Sequence, residues 1–255
     1  MKRTSISIVG SGNVATHLAL AFKAAGCEVR QVLSRSMDHA QLLARRVDAR
    51  PLCRPEDLAT DSDVYLLAVN DDALYNLALD LRLPDALVVH TSGSTPLAVL
   101  RPVSRHCGVL WSPQTFVRDI AMDYSTLPIC IEGNSQPDTD TLERLALKVS
   151  PRVFHLNFDQ RQRAHLAAVM VSNFVNAINA AAQEYMQGGD LDFGMLRPLA
   201  EQTLRKWDYG NLRLQQTGPA IRHDEKTLNA HRRRLASDPQ LLKLYDTLTE
   251  FIQEQ

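Results

Sequence analysis

The chain has 255 residues, 45% hydrophobic and 22% charged, with a formal net charge of -1. That composition suits a globular protein able to bury a sizeable core and sets aside disordered and collagen-like chains. The near-neutral charge gives no global attraction to nucleic acid or to an anionic membrane, so neither is expected as a partner. The four cysteines, Cys27, Cys53, Cys107 and Cys130, are scattered and form no CxxC pair. That spacing excludes a zinc knuckle, a redox dithiol and a disulfide framework, so no metal is expected and the thiols read as reduced and cytoplasmic. The N-terminal residues run straight into a strand pattern without the zones of a signal peptide.

SISIVG reads as a strand, NVATHLALAFKAAG as a helix ended by Gly26, and CEVRQVLSRS as the next strand. HAQLLARRV follows as a helix starting near His39 and capped by Asp38. VYLLAVN is apolar throughout, as a strand buried on both faces is, and LVVHTSGS, GVLWSP, LPICIEG and PRVFHLN supply further strands. Short β-branched runs alternating with helical periodicity predict a parallel sheet of the α/β class. Beyond Asn157 long helical patterns take over, which predicts a Rossmann-like domain over residues 1–157 and an all-helical domain over 158–255. QRQRAHLAAVMVSNFVNAINAAAQEYMQ is the longest helix, and its nearly all-round apolar character predicts burial. Its His165, Asn173, Asn176 and Asn179 would be costly in hydrocarbon, so it is not read as a membrane span. DFGMLRPLAEQTLRKW and HDEKTLNAHRRRLA are further helices, the second capped by Asp224, and SDPQLLKLYDTLTEFIQ closes the chain with Pro239 near its start.

GSGNVA, Gly10 to Ala15, lies directly between the first strand and the first helix. There Gly10 permits a sharp turn and Gly12 lets a pyrophosphate approach the helix N-terminus, with Asn13 and Val14 completing the cradle. Ala15 stands where the third glycine of the fingerprint falls and is small enough for close helix–strand packing. A dinucleotide site specific for NAD presents an acidic residue at the end of the second strand. This chain has Ser34-Arg35-Ser36, a guanidinium flanked by hydroxyls that suits a 2′-phosphate, so the expected cofactor is NADP. Val69-Asn70-Asp71 and His90-Thr91-Ser92-Gly93-Ser94 occupy later strand ends that should line the same crevice, with Val69, Asn70, Thr91 and Ser92 as the cofactor contacts. His90 reads either as a substrate-polarising group or as a satisfied histidine at a strand end. Gln114 reads either as a cleft residue or as a turn glutamine.

At 100° per residue His165, Ser172, Asn176, Asn179 and Gln183 share one face of the longest helix, with Asn173 beside them. Such a stripe faces a ligand or a polar network, since unpaired buried amides cost about 1–3 kcal/mol each. His165 is the candidate acid or base, because imidazole titrates near neutrality, and Asn173 the candidate for orienting a substrate. Lys206 and Arg222, with His231, form a cationic set able to anchor a substrate anion. Arg232 to Arg234 read as a solvated helix face or a partner contact rather than a nucleic-acid site.

On GSGNVATHLALAF, HTSGS, SPQTF, HLAAVMVSNFVN and QTGPAIRHDEKTLNAH, the chain resembles Rossmann-like NADP oxidoreductases whose C-terminal half is a domain of unknown function, DUF2520. The N-terminal part is similar to those of pyrroline-5-carboxylate reductase and 6-phosphogluconate dehydrogenase relatives. The resemblance implies a Rossmann domain, an all-helical domain, a dimer and an active site between domains. The lysine that the dehydrogenase relatives carry on their long helix is replaced here by His165 and asparagines, so that role does not transfer. Two functions remain open: an NADP(H)-dependent oxidoreductase acting on a small polar substrate, and a non-catalytic NADP(H)-binding sensor. A flavin-like cofactor is a weaker third reading. The apolar long helix, together with Leu241, Tyr245, Leu248 and Ile252 on one face of the last helix, predicts a homodimer through the helical domain.

Overall fold

The computed structural model describes residues 3–118 and 120–254. Eight strands form one sheet in the order β3-β2-β1-β4-β5-β6-β7-β8. They are β1 (Ser5–Val9), β2 (Glu28–Leu33), β3 (Arg50–Leu52), β4 (Val64–Leu67), β5 (Leu87–His90), β6 (His106–Trp111), β7 (Ile129–Gly133) and β8 (Val153–His155). β1 to β6 pair in parallel, β7 runs antiparallel to β6, and β8 runs parallel to β7. The parallel sheet expected from the alternating pattern is therefore present with an antiparallel step after β6.

Side chains alternate across each strand. Ile6 and Ile8, with Val64 and Leu66, join one apolar cluster, while Val9, Tyr65 and Leu67 join another. The first cluster is covered by helix α1 (Asn13–Ala24), whose Ala15, Leu18, Ala19 and Phe22 follow the helical period, by α2 (Met37–Val47) and by α4 (Gln136–Ala146). The second includes Leu74 and Ala78 of α3 (Asp71–Asp80). With both faces covered, the strands can be apolar throughout, and β4 and β5 are buried at every position.

α2 starts at Met37, and its N-cap is Ser36, whose hydroxyl accepts from the His39 amide at 3.4 Å. The expected Asp38 cap is corrected: Ser36 holds the extended backbone that an N-cap needs, and Asp38 lies inside the first turn, beside the positive end of the helix dipole.

The helical region contains α5 (Phe158–Ala168), α6 (Val175–Gln187), α7 (Arg197–Arg205), α8 (Glu225–Arg234) and α9 (Pro239–Gln253). Asp224 caps α8 through the Thr227 amide, and Asp238 caps α9 ahead of Pro239. Between α5 and α6 the chain runs as a π-helix, Val169–Phe174. The helical path Phe158–Gln187 is long and apolar enough to cross a membrane by length and composition, and its most apolar window is wholly unburied. The expected burial of this helix is therefore corrected: Leu166, Met170, Val171, Phe174 and Val175 are all exposed. The polar stripe is also interrupted, because a π segment takes more residues per turn and shifts the phase between His165 and Asn176. By compactness the chain divides into residues Met1–Asn173 and Phe174–Gln255, a division that falls within this helix.

Candidate functional site

The parallel strands end together on one edge of the sheet, and a cleft of about 980 Å³ opens there. Its lining residues all belong to the first compact unit. Gly10 turns out of β1 with φ +121°, a conformation that L side chains rarely adopt. A Cβ on it would collide with the Ala68 carbonyl oxygen of the strand next door. Gly12 is the N-cap of α1, and a Cβ there would meet nothing within 4 Å. The first turn of α1 holds no acidic residue and no side chain caps it, so its first amides have no side-chain partner at the positive end of the helix. Val14 lines the cleft beside them.

Asn13 also lines the cleft, but its side-chain amide donates to the Phe116 carbonyl at 2.9 Å. The role expected of Asn13 as a phosphate cradle is thereby narrowed to its main chain. The same segment after β6 is fastened once more to α1, where His17 Nε2 pairs with the Val117 carbonyl at 2.8 Å, and once to the glycine turn, where Arg118 Nη2 donates to the Ser11 carbonyl at 2.8 Å. These bonds fix the glycine turn from outside.

Ser34, Arg35 and Ser36 line the next wall with His39, Cys53 and Pro55. Ser34 Oγ lies 2.7 Å from Ser11 Oγ, and Ser36 is engaged as the cap of α2. Arg35 is exposed and has no hydrogen bond or ion pair among the described residues. The guanidinium is thus free for a ligand, and the adjoining helix N-terminus adds to its positive field. Opposite stand Val69 and Asn70, followed by Ala73, Asn76, Leu77 and Asp80 on one face of α3. Asn70 caps α3 by accepting from the Ala73 amide at 2.9 Å, so its side-chain oxygen is committed.

The far end is built by the loop after β5. Ser92 Oγ accepts from the Ser94 and Thr95 amides at 3.2 and 2.9 Å and lies 3.0 Å from Thr95 Oγ1. Its hydroxyl holds the turn, while Thr91 stands beside it in the cleft wall. Ser94 donates to Asp71, the first residue of α3. Burial works to raise the Asp71 carboxyl, but hydrogen bonds from Ser94, Ser92 and Thr95 outweigh it and hold it below the ordinary carboxylate range.

Gly93 lies against Trp111, at the end of β6, and His165, from α5. A Cβ on Gly93 would sit 2.8 Å from His165 Nδ1 and 2.9 Å from Trp111 Nε1. The two rings meet edge to face, with centroids 5.8 Å apart. His165 is part-buried, lines the cleft, and makes no hydrogen bond among the described residues. Trp111 escaped the sequence reading although the strand-end rule that picked out Thr91 and Ser92 applies equally to β6. His39 is a further cleft residue that it missed, whereas Asp71 lines the cleft as the strand-end rule expects.

Other expected residues lie elsewhere. His90 is fully buried, its Nδ1 accepts from the Ser92 amide at 3.2 Å, and its Nε2 is sealed from solvent. Burial first, then the charge of Arg161, pushes its pKa down to about 3. The reading of His90 as a substrate-polarising group therefore gives way to that of a structural histidine. Gln114 is exposed and accepts from the Thr115 amide at 2.9 Å, as a turn glutamine. Asn173 is exposed in the π segment and does not line the cleft. In the second unit, Lys206 donates to the Gln215 carbonyl at 3.2 Å and lines a polar hollow with Glu201, Arg205 and Tyr209. Arg222 is exposed and outside that hollow, and His231 pairs with the Tyr245 hydroxyl at 2.8 Å, so the three cations do not form one set. No group of acidic, histidine or cysteine residues able to hold a metal occurs among the described residues.

Residues 1–112 match a Rossmann-like domain, and residues 127–252 match a domain of unknown function, DUF2520. A solved structure of a "putative NADP oxidoreductase", BF3122 from Bacteroides fragilis, is 35% identical, with TM-score 0.92 and 99% of each chain covered. The chain belongs to this family of Rossmann-like proteins with a DUF2520 domain. Within the same fold, protein TM1727 from Thermotoga maritima is 22% identical, with TM-score 0.80 and 98% of each chain covered. A reductive aminase from Aspergillus terreus, solved with NADPH and ethyl-5-oxohexanoate, is 16% identical, with TM-score 0.76 over 98% of this chain and 93% of its own. Among curated proteins none matches the chain.

The buried neutral His90 generates a pH prediction. Its folded pKa lies below the ordinary histidine value near 6.5, so below about pH 6.5 the unfolded chain takes up a proton that the folded chain refuses. Stability is full above that pH and falls toward the folded value, with a limiting slope of about 1.4 kcal/mol per pH unit. Denaturant unfolding between about pH 6.5 and 4.5 should show a shallower decline for His90→Asn than for the parent. Parallel declines would show that His90 is not held neutral.

Proposed function

We propose that this protein is an NADP(H)-dependent oxidoreductase that acts on a small polar substrate at the His165 end of the cleft. The observation that carries the reading is the cleft itself: a glycine turn and open helix N-terminus, an unpaired Arg35 at the end of β2, and a polar loop with an unbonded imidazole at the far end. Its chemistry matches the parts of NADP in order. The main-chain amides at Gly12, Asn13 and Val14 bind the pyrophosphate, and Arg35 with Ser34 binds the 2′-phosphate. Ser36 and Asn70 shape these contacts as helix caps. Thr91 and the loop held by Ser92 face the nicotinamide half, and Val69 packs beside it. When bound, the nicotinamide supplies or accepts a hydride, so the protein's part is to place the substrate and move a proton. His165 holds or gives up that proton, and Trp111 walls the same end against water. The family relationship to the Bacteroides fragilis protein titled a "putative NADP oxidoreductase" and the fold shared with an NADPH-bound reductive aminase support this reading. A non-catalytic sensor would need the same cofactor contacts but no accessible imidazole at the nicotinamide end.

We further propose that the protein is a homodimer through its helical region. Phe174, Ile178, Tyr185, Leu199, Trp207 and Phe251 are all exposed, a larger apolar surface than a monomer ordinarily leaves in water. Sedimentation should give a dimer at micromolar concentration, and a stable monomer would contradict this.

NADPH should bind more tightly than NADH, and Arg35→Ala should remove most of the difference, on the order of ten- to a hundredfold for a charge-assisted contact. Equal calorimetric affinities for both cofactors in the parent protein would overturn the assignment. His165→Asn should leave NADPH affinity nearly unchanged while reducing turnover of an accepted substrate by about 10²–10⁴. Full turnover in this variant would remove His165 from the reaction.

A further inference from the structure

We propose that Arg161 is a positioning residue that sets where the His165 ring stands in the cleft. Arg161 lies in the first turn of α5 and is 1% exposed, a rare place for a guanidinium. Its Nη1 pairs with Glu132 on β7, and its Nη2 donates to the Thr95 carbonyl at 2.7 Å. Its Cζ lies 5.3 Å from the centroid of the Phe158 ring at the start of the same helix. The fork thus joins three parts of the chain at once: α5, the sheet and the loop that follows β5.

His165 is four residues further along α5, so it stands one turn above Arg161 on the same helix face. The loop that Arg161 grips at Thr95 is the one whose Gly93 packs against His165 and Trp111. The contacts therefore close a ring, from Gly93 along the loop to Thr95, across the guanidinium to α5, up one turn to His165, and back to Gly93. Removing the guanidinium opens that ring at the point where helix and loop are held at a fixed separation. A burial argument for stability alone does not account for this choice, because well-packed apolar residues commonly replace a buried ion pair without loss. Such residues supply no direction, whereas the planar fork sets both distance and angle. The functional meaning of the placement rests on the reading of His165 as the proton-transfer residue. The placement itself does not.

The test is a nuclear Overhauser measurement between the His165 imidazole and the Trp111 indole in the selectively labelled full chain, with the His165 signal assigned from His165→Asn. The parent should show the contact. Arg161→Met should lose it while remaining folded by circular dichroism, and Arg161→Lys, which keeps the charge toward Glu132 but cannot reproduce the fork, should restore it in part. A merely stabilising arginine would lower the melting temperature and leave the ring where it is, so an intact contact in folded Arg161→Met overturns the proposal. Should the methionine variant fail to fold, the lysine variant decides: a weakened contact supports the proposal and an unchanged one overturns it. No substrate enters this measurement, so a catalytically indifferent His165→Asn would remove the reading of His165 and leave the role of Arg161 standing.

Discussion

The bare Cα of Gly93 is the point on which the site depends. Two rings, His165 and Trp111, come to within 2.9 Å of where a side chain would begin. Any side chain there would separate the loop after β5 from the end of β6 and from α5. Without that approach the cleft would lose its far wall. The hydroxyls behind Gly93 serve the same end: Ser92 holds the turn through two amides, and Ser94 ties it to the start of α3. His90, neutral and sealed beneath the loop, supports it from below by accepting the Ser92 amide.

Division of labour in the cleft follows from backbone accounting. Helix N-termini leave amides that need partners, and three of the side chains nearest the cleft are spent on caps, turns or loop contacts: Ser36 on α2, Asn70 on α3, Asn13 on the Phe116 carbonyl. Left open in the cleft are main-chain N–H at α1, the guanidinium of Arg35 beside Ser34, Thr91, and the imidazole of His165. Several polar residues at cleft-facing positions therefore contribute to the cleft through the shape they impose.

Much of the fold was legible because each signal was local. Alternation in SISIVG and the apolar run VYLLAVN marked strands, and Gly10 and Gly12 marked a turn that a side chain at Gly10 would destroy. The lining of the cleft was legible where strand ends were followed by unusual residues, as at Arg35 and Thr91. Burial of the long helix was misjudged because an apolar helix looks the same in sequence whether its cover is its own chain or another surface. The polar stripe failed at the π segment, since a wheel of 100° per residue assumes an unbroken α-helix. Arg161 gave no local signal: its partners, Glu132 and Thr95, lie 29 and 66 residues away. The Lys206, Arg222 and His231 set failed for a related reason, because the partner of His231 is Tyr245, fourteen residues on.

In the proposed reading the nicotinamide end of NADPH lies against the layer formed by Gly93, Trp111 and His165. The chain has two tryptophans, Trp111 and the exposed Trp207. With Trp207→Phe, Trp111 becomes the sole indole, and its emission overlaps the absorption of the reduced nicotinamide. Titration with NADPH should quench Trp111 fluorescence and sensitise nicotinamide emission, saturating at one cofactor per chain. Calorimetric binding of NADPH that leaves Trp111 emission unchanged would place the nicotinamide elsewhere and contradict the account.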